Sequence, residues 1–394
     1  MTGTAPHIDL LAGDLYGDRA REAYTWMRAH SPVHFDEKNA MWGLATYDAV
    51  LSAERDAKVF SNAGGSRPDT GPLPWMIDLD APEHLKRRKL VNRGFTPARV
   101  RASEPQLGRI CDELIDRVCE QGECDFVHDI AAPLPMIVIG DMLGIPPEDR
   151  GLLLAWSDAM LASLSGDPEH LEAAGEAFLG YQDYAQKMMA ARRESGAADD
   201  LIGVLVHAEI DGDRLEDHEI VMETLLLLVG GDETTRHVTT GGMEQLLVNP
   251  DQRQQLVDDP TLLPSALEEM LRWVSPIKNM ARTVTRDVEL AGRQLHAGDR
   301  ALLLYESANF DDGQFKYPER FDIERSPNEH LAFGFGPHFC LGASLARLEL
   351  QTMFERLLTR LPDLELVPDA SYPRFLGQLA EMPVRFTPVP RVLE

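Results

Sequence analysis

The sequence lacks a long uninterrupted hydrophobic segment. Its longest apolar runs, such as 225–229 and 134–140, are far shorter than the roughly 18 residues that a membrane-spanning helix requires. The N-terminal residues also lack the basic and apolar regions of a secretory signal peptide. These absences predict a protein without a membrane span that resides in the cytoplasm.

Positive charge and cysteine are also scarce. The 394 residues contain 38 Lys and Arg against 65 Asp and Glu, a net charge of −27, which argues against a nucleic-acid-binding protein. The four cysteines, at positions 111, 119, 124 and 340, do not resemble a disulfide framework in a chain of this size. Cys119, Cys124 and His128 could be arranged around zinc, but no Cys-x-x-Cys pair exists, and packing in the core is the stronger interpretation.

The chain also lacks internal repeats and low-complexity linkers. No break in composition divides it, so we predict one domain over residues 1–394. Apolar residues spaced three and four apart predict a mainly α protein, with a long helix of core-buried length over 219–247. Short strand-like runs near 33–35 and 41–44 predict a small β-sheet beside this helical body.

One cysteine stands in a setting that suggests chemistry. Cys340 ends an aromatic and glycine-rich stretch, 333–342, and precedes a predicted helix over 343–360. Gly334 and Gly336 allow positive φ and close approach of the backbone to a flat ligand. Amide groups at the start of a helix stabilise a negative sulfur, so a thiolate here could bind a metal. The alternatives are a buried structural thiol and a nucleotide-binding loop, although Phe339 occupies the third glycine position of the latter.

The predicted helix over 219–247 contains a second unusual stretch. Gly230 and Gly231 each lower helix stability by roughly 1 kcal/mol relative to alanine, and they would permit a kink or a widened turn. Directly after them, the Glu233 carboxyl and the Thr234 hydroxyl could hold water and pass protons inward. The alternative is ordinary helix contacts, in which Glu233 pairs with His237 and Thr234 bonds to a carbonyl of its own helix.

Two further pairs of residues share a helix face. His84 and Arg88 are four apart and could hold two carboxylates. Glu269 and Arg272 are three apart and can form an ion pair.

These stretches, in this order and spacing, resemble the cytochrome P450 family over essentially the whole chain. The resemblance implies a large helical domain with a small β-sheet subdomain, and haem b (iron protoporphyrin IX) between the 219–247 helix and the Cys340 loop. It implies Cys340 as the axial ligand of the haem iron. The other implied cofactor-binding residues are His84, Arg88, Arg282, Gly334, Gly336 and His338.

The resemblance also assigns roles around this cofactor. Thr234 would hydrogen-bond dioxygen, and Glu233 would connect the site to bulk protons. Glu269 and Arg272 would form a buried structural network with Arg320, from the sequence 318–321. The implied substrate contacts are Met76, Val229, Gly230, Ile277, Asn279 and Met280.

Several passages look most like the actinobacterial members of this family that hydroxylate the terminal methyl of the cholesterol side chain. The implied function is therefore a haem-thiolate monooxygenase acting on cholesterol or cholest-4-en-3-one. A reduced ferredoxin and an NAD(P)H-dependent ferredoxin reductase would supply the electrons. Macrolides, terpenes and fatty acids are the alternative substrates, and a haem-thiolate sensor or carrier without turnover is a more distant alternative.

Overall fold

Helices dominate the computed structural model, which describes residues 6–17, 19–162, 167–196, 199–209 and 212–393. In chain order the α-helices are α1 (Ala20–His30), α2 (Tyr47–Arg55), α3 (Glu83–Val91), α4 (Pro97–Val118), α5 (Pro133–Leu143), α6 (Arg150–Ala162), α7 (Pro168–Ser195), α8 (Leu201–His207), α9 (Asp217–Val248), α10 (Pro250–Asp258), α11 (Leu263–Val274), α12 (Tyr305–Asn309) and α13 (Ala343–Arg360). The predicted mainly α architecture is confirmed.

Short strands form small sheets beside these helices. In chain order they are β1 (Val33–Asp36), β2 (Met41–Leu44), β3 (Phe60–Ser61), β4 (Glu123–Asp125), β5 (Asn279–Val284), β6 (Val288–Leu290), β7 (Arg293–Leu295), β8 (Arg300–Leu304), β9 (Glu365–Leu366), β10 (Arg374–Phe375), β11 (Gln378–Leu379) and β12 (Pro383–Arg385). The largest sheet has the order β1-β2-β8-β5-β3, in which only β2 and β8 run parallel. The remaining sheets pair β4-β12-β9, β6-β7 and β10-β11.

Helix α9 passes through the middle of the helical body and packs against α5, α11 and α13. It begins with a capping box, in which the side chains of Glu216 and Glu219 each accept a hydrogen bond from the other's backbone amide. The helix is assigned continuously through Gly230 and Gly231, so the widened turn that these glycines would permit is not found. A Cβ atom at Gly231 would contact the Ile139 side chain of α5. The two glycines therefore leave a shallow depression in the surface of the continuous helix.

The main hydrophobic core lies between α4, α9, α11 and α13. Cys111 and Cys119 are fully buried there among leucine, isoleucine and phenylalanine side chains. Among the described residues, no group of three or more His, Cys, Asp or Glu side chains is arranged to hold a metal ion. These two cysteines therefore serve as small apolar core residues.

A buried ion cluster ties α11 to the segment that precedes the Cys340 loop. Glu269 accepts hydrogen bonds from Arg272 (2.8 Å) and from Arg325 (2.9 Å), and all three side chains are almost completely buried. The predicted third member, Arg320, is exposed, and its carbonyl oxygen accepts a hydrogen bond from Arg325. The prediction of Arg320 is wrong because the chain turns after Phe321 and brings the arginine five residues later onto Glu269.

None of the helices in the described part of the chain combines the length and the apolarity that crossing a membrane requires.

Candidate active site

A cavity of about 260 Å³ lies between α9 and the loop that precedes α13. It brings together residues that are far apart in the sequence. The predicted site residues that line it are Met76, His84, Arg88, Gly230, Thr234, Ile277, Met280, Arg282, Gly334, His338 and Cys340.

The Cys340 loop is shaped by its two glycines. Gly334 and Gly336 have φ values of +65° and +71°, a region that favours glycine because it has no Cβ. A Cβ atom at Gly336 would lie 2.7 Å from the carbonyl oxygen of Glu54, so α2 and the loop could not pack as they do. The Cys340 amide donates a 2.9 Å hydrogen bond to the Phe333 carbonyl and closes the loop just before α13. Gly336 itself does not line the cavity.

The Cys340 thiol faces the cavity and is surrounded by protein atoms. The side chain has accessible surface that faces the cavity. Protein atoms nevertheless separate the thiol from bulk solvent, and this burial raises its pKa. The amides of Gly342 and Ala343 and the side chains of Arg88 and Arg347 lower the same pKa. Amides and guanidinium groups thus surround the sulfur, and they favour its negative form once a metal ligates it.

Two imidazole rings line another part of the cavity. His84 and His338 stack with their ring centroids 4.0 Å apart. Burial lowers the pKa of His84 to about 4, and the neighbouring Arg88 adds to the effect. Burial also lowers the pKa of His338 to about 2, with contributions from His84, Arg282 and Arg88.

Two guanidinium groups join these rings. Arg88 donates a hydrogen bond to the Phe339 carbonyl, and Arg282 is buried and pairs with Glu54 at 3.1 Å. Of these four potential cations only Arg282 pairs with an acidic side chain, and such a set of donors fits a ligand with carboxylates of its own. A flat metal complex with two acidic side chains, as haem has, fits both this set and the thiol of Cys340.

Helix α9 turns one face to the cavity, formed by Gly230, Gly231, Thr234 and Thr235. The Thr234 hydroxyl donates a 2.9 Å hydrogen bond to the Gly230 carbonyl. This hydrogen bond to a carbonyl of the same helix is the one that the sequence suggests as the alternative to a role in proton transfer. The hydroxyl oxygen still has lone pairs available for a donor in the cavity.

Glu233 lies beside this face and does not line the cavity. Its carboxylate is 3.5 Å from the ring of His237, and its side chain is 27% exposed. The two residues are four apart on the helix, so this contact also matches the alternative reading. The predicted pair is therefore split: Thr234 lines the cavity, while Glu233 lies beside it and is partly exposed.

The predicted substrate contacts are also divided. Met76, Gly230, Ile277 and Met280 line the cavity, whereas Asn279 and Val229 do not. In strand β5 the side chains of Asn279 and Met280 point to opposite faces, and Asn279 interacts with Tyr16 instead.

Val229 packs with the apolar cluster around α5, α7 and α8. Leu226 and Leu227 take its place, because they share the helix face of Gly230 and Thr234.

Two buried carboxyl groups line the cavity that sequence reasoning missed. Glu54 of α2 pairs with Arg282 and accepts a hydrogen bond from Tyr305. Glu349 of α13 is 4% exposed, and its Oε2 atom has no hydrogen-bond partner in the described part of the chain. Burial raises the pKa of Glu349 to about 8, and Asp232 adds to the shift. Acidic residues inside helices usually face solvent. The only sequence signal that Glu349 is buried is that its neighbours are apolar.

Comparison with known proteins agrees with this geometry. The sequence profile of the family described as "Cytochrome P450" matches residues 157–379. A protein of Mycobacterium tuberculosis named "Steroid C26-monooxygenase" is 56% identical over 394 residues, with 98% of each chain covered. A protein of the same name from Mycolicibacterium smegmatis is 53% identical over 397 residues, with 99% of this chain and 98% of the relative covered.

Solved structures show the same fold. CYP109E1 from Bacillus megaterium in complex with corticosterone superposes with a TM-score of 0.86 at 34% identity, covering 95% of this chain and 100% of that one. The predicted fold and the predicted enzyme class, a haem-containing monooxygenase, are confirmed by these comparisons. The chain therefore belongs to the cytochrome P450 family.

Proposed function

We propose that this protein hydroxylates the terminal methyl group of a steroid side chain, with cholest-4-en-3-one as the first substrate to test. One observation carries the proposal: apolar side chains of Met76, Ile277 and Met280 line the same cavity as the Cys340 thiol. An alkyl chain end could lie there out of water, stabilised by apolar burial. The names of the mycobacterial relatives support this choice over a macrolide, a terpene or a fatty acid.

The residues of the cavity would hold haem as follows. Cys340 would ligate the iron, while His84, Arg88, Arg282 and His338 would hold the two propionates. An anion beside each imidazole favours its protonated form, so the low pKa values of His84 and His338 would rise on binding. When bound, a haem with a thiolate ligand supplies the oxygen-activating chemistry.

The reaction consumes one dioxygen, two electrons and two protons; one oxygen atom enters the C–H bond and the other leaves as water. Thr234 would keep a hydroxyl at the cavity face of α9, where it can donate to or accept from a bound group. Glu233 would exchange protons with solvent, because its carboxyl is partly exposed. Proton transfer between them would require a water or a rotation of the Glu233 side chain.

Electrons would come from a reduced ferredoxin, itself reduced by an NAD(P)H-dependent reductase. A cluster of exposed basic residues on α3, on α4 and on the short segment between them supports an acidic partner in this otherwise acidic protein: Lys86, Lys89, Arg93, Arg99 and Arg101. Arg87, from the same stretch, is half-buried between acidic side chains. These donors fit the predicted cytoplasmic location.

The test uses the purified holoenzyme. Cholest-4-en-3-one should shift its absorption spectrum from low spin to high spin, and turnover should give a product with one added oxygen at the end of the side chain. No shift across a steroid panel, with a clear one for a macrolide, terpene or fatty acid, would remove the steroid proposal. The reduced, carbon-monoxide-bound spectrum, with Cys340→Ser as the control, tests the thiolate ligand separately.

Thr234→Ala tests the proton-handling proposal. We expect NADPH consumption to continue while product formation falls by about tenfold or more, in line with the loss of a positioned acid–base group. Unchanged coupling would remove Thr234 from the mechanism. A protein that binds haem and steroid but never turns over would support a sensor or carrier instead.

A further inference from the structure

Arg87 connects α3 to the loop 61–80, which carries the cavity residue Met76. On this helix His84 and Arg88 line the cavity, whereas Arg87 does not and extends toward α9. Its side chain is only 15% exposed, so it is not one of the solvated basic residues of the same stretch.

The guanidinium group of Arg87 bonds to two elements at once. One nitrogen donates to the Pro74 carbonyl at 2.8 Å and to Glu223 of α9 at 3.0 Å. The other nitrogen donates to Glu219, the capping residue of the same helix. Pro74 lies two residues before Met76, so the guanidinium fixes the loop to the start of α9 beside the cavity.

Glu223 is completely buried, which makes this contact unlike a surface ion pair. One of its oxygens has no hydrogen-bond partner among the described residues. Burial raises the pKa of Glu223 to about 7, against the effects of Arg87 and of the Met76 amide. Glu223 thus interacts with both Arg87 and the loop, and breaking the contact would leave a buried carboxyl group without its main partner.

Different arginines bond to the two halves of the loop, 61–69 and 70–80. Arg300 of β8 donates to the carbonyls of Gly64, Gly65 and Arg67 and fixes the first half to the sheet. Asp78 accepts from the Leu73 amide of the second half and from the Ser66 amide of the first half, so it joins the two halves. Arg87 ties this second half to α3 and α9, and Glu223 of α9 adds a contact with the Met76 amide.

We propose that Arg87, held between Glu219 and Glu223, is a positioning residue that fixes the segment 74–76 against the cavity and thereby determines how tightly an apolar substrate is bound. Through Met76 the segment contributes to the cavity wall. Losing the anchor would let this part of the wall move and would reduce the apolar contact with the substrate. The binding part of the proposal rests on the proposed steroid substrate; the anchoring part does not.

The test is hydrogen exchange of the holoenzyme, with and without Arg87→Gln. We expect the amides of 75–79 to exchange about tenfold faster in the variant, the equivalent of losing one charged hydrogen-bond anchor. Exchange in β8 should stay unchanged, because none of the hydrogen bonds of Arg87 reaches that strand. Arg193→Gln is the matched control: Arg193 also pairs with the first turn of α9, at Asp217, but both side chains are exposed.

Steroid binding is measured on the same proteins by the spin-state shift. Arg87→Gln should weaken the apparent affinity for cholest-4-en-3-one by about tenfold, and Arg193→Gln by less than about twofold. Glu219→Gln provides a milder variant, because glutamine keeps the capping box while the charge is lost. We expect it to accelerate exchange in 75–79 by about threefold, and it serves if Arg87→Gln fails to retain its cofactor.

Each outcome bears on the proposal. Unchanged exchange in 75–79 overturns the anchor, and faster exchange with unchanged steroid affinity overturns its role in substrate binding. If the wild-type protein shows no steroid shift, the proposed substrate fails, and the exchange result alone decides the anchor: faster exchange supports it, and wild-type exchange overturns it.

Discussion

Glu269 and Glu349 are both buried carboxyl groups, but they lie in opposite electrostatic environments. Glu269, behind the Cys340 loop, accepts from Arg272 and Arg325, and further donors occupy its remaining lone pairs. Glu349, at the cavity, has one oxygen without a hydrogen-bond partner in the described part of the chain. Burial raises the pKa of Glu349 to about 8, so it is largely protonated at neutral pH.

The two carboxyl groups have different roles: Glu269 stabilises the fold, whereas Glu349 lies in the cavity, near the reacting groups. A carboxyl group that accepts hydrogen bonds from two guanidinium groups joins α11 to the segment that contains Arg325, and removing either arginine is costly. A carboxyl group left without a counterion holds its proton, and it can give that proton up when its surroundings change. The cavity of this protein is therefore lined by a carboxyl group that can change its charge, while the fold behind the Cys340 loop depends on a carboxyl group that is paired with two arginines.

The largest predicted effect is on the ion cluster. Arg272→Met should lower the free energy of unfolding by about 3 to 5 kcal/mol, because it leaves a buried carboxylate short of a partner. Urea denaturation of the holoenzyme, followed by its haem spectrum and by circular dichroism, measures this loss.

Arg320→Met is the control for the same experiment. Arg320 is exposed and does not touch Glu269 through its side chain, so its replacement should change stability by less than about 0.5 kcal/mol. Equal losses for the two variants would contradict the cluster described here and restore the arginine expected from the sequence. Arg325→Met should resemble Arg272→Met.

A smaller effect is predicted for Glu349, and it depends on pH. The folded protein keeps a proton on Glu349 up to about pH 8, whereas the unfolded chain loses it near the ordinary glutamate pKa. The folded state therefore binds more protons between these values, and the free energy of unfolding falls as pH rises through this window. Glu349→Gln should remove this slope and be more stable than the wild type at pH 8 by on the order of 1 to 3 kcal/mol.

Denaturation curves from pH 5 to pH 8 test this prediction, with Glu355→Gln as the same substitution at a partly exposed site on α13. At pH 5 wild type and Glu349→Gln should be nearly equal. The same slope in both proteins would mean that Glu349 is ionised in the folded state.

The sequence predicts the Cys340 loop and helix α9 because each depends on residues that are close together in the chain. The Cys340 loop needs positive φ at Gly334 and Gly336, and both glycines are visible in the sequence. Helix α9 was predicted over 219–247 and extends over Asp217–Val248, because its apolar length and its capping residues are local features.

The errors concern contacts that depend on distant parts of the chain. Arg320 precedes the turn after Phe321 and Arg325 follows it, and only the packing against α11 decides which one reaches Glu269. Asn279 was expected at the cavity, but the pleat of β5 turns it away. Glu349 gave almost no signal, since its burial results from the packing of α13 against α9.

The smallest predicted effect concerns Asp232, whose environment is intermediate between those of Glu269 and Glu349. It is fully buried and accepts hydrogen bonds from Ser157 of α6 (3.1 Å) and Arg236 (2.9 Å), and its Oδ1 atom lacks a partner among the described residues. Burial raises the pKa of Asp232 to about 6, although Arg236 and Ser157 oppose the shift. Ser157→Ala should therefore cost about 0.5 to 1.5 kcal/mol of stability at pH 8, where the carboxylate is ionised.

The cost of Ser157→Ala should shrink toward pH 5, where the folded protein keeps Asp232 protonated and the hydroxyl no longer bonds to a charge. A double-mutant cycle with Asp232→Asn at pH 8 isolates the interaction, because the amide has nearly the shape of the carboxylate without its charge. A coupling energy near zero would show that the hydroxyl does not stabilise the charge, and Asp232 would then resemble Glu349. A coupling that is positive at pH 8 and weaker at pH 5 would show how one neutral donor and one arginine move a buried carboxyl part of the way toward the fully paired state of Glu269.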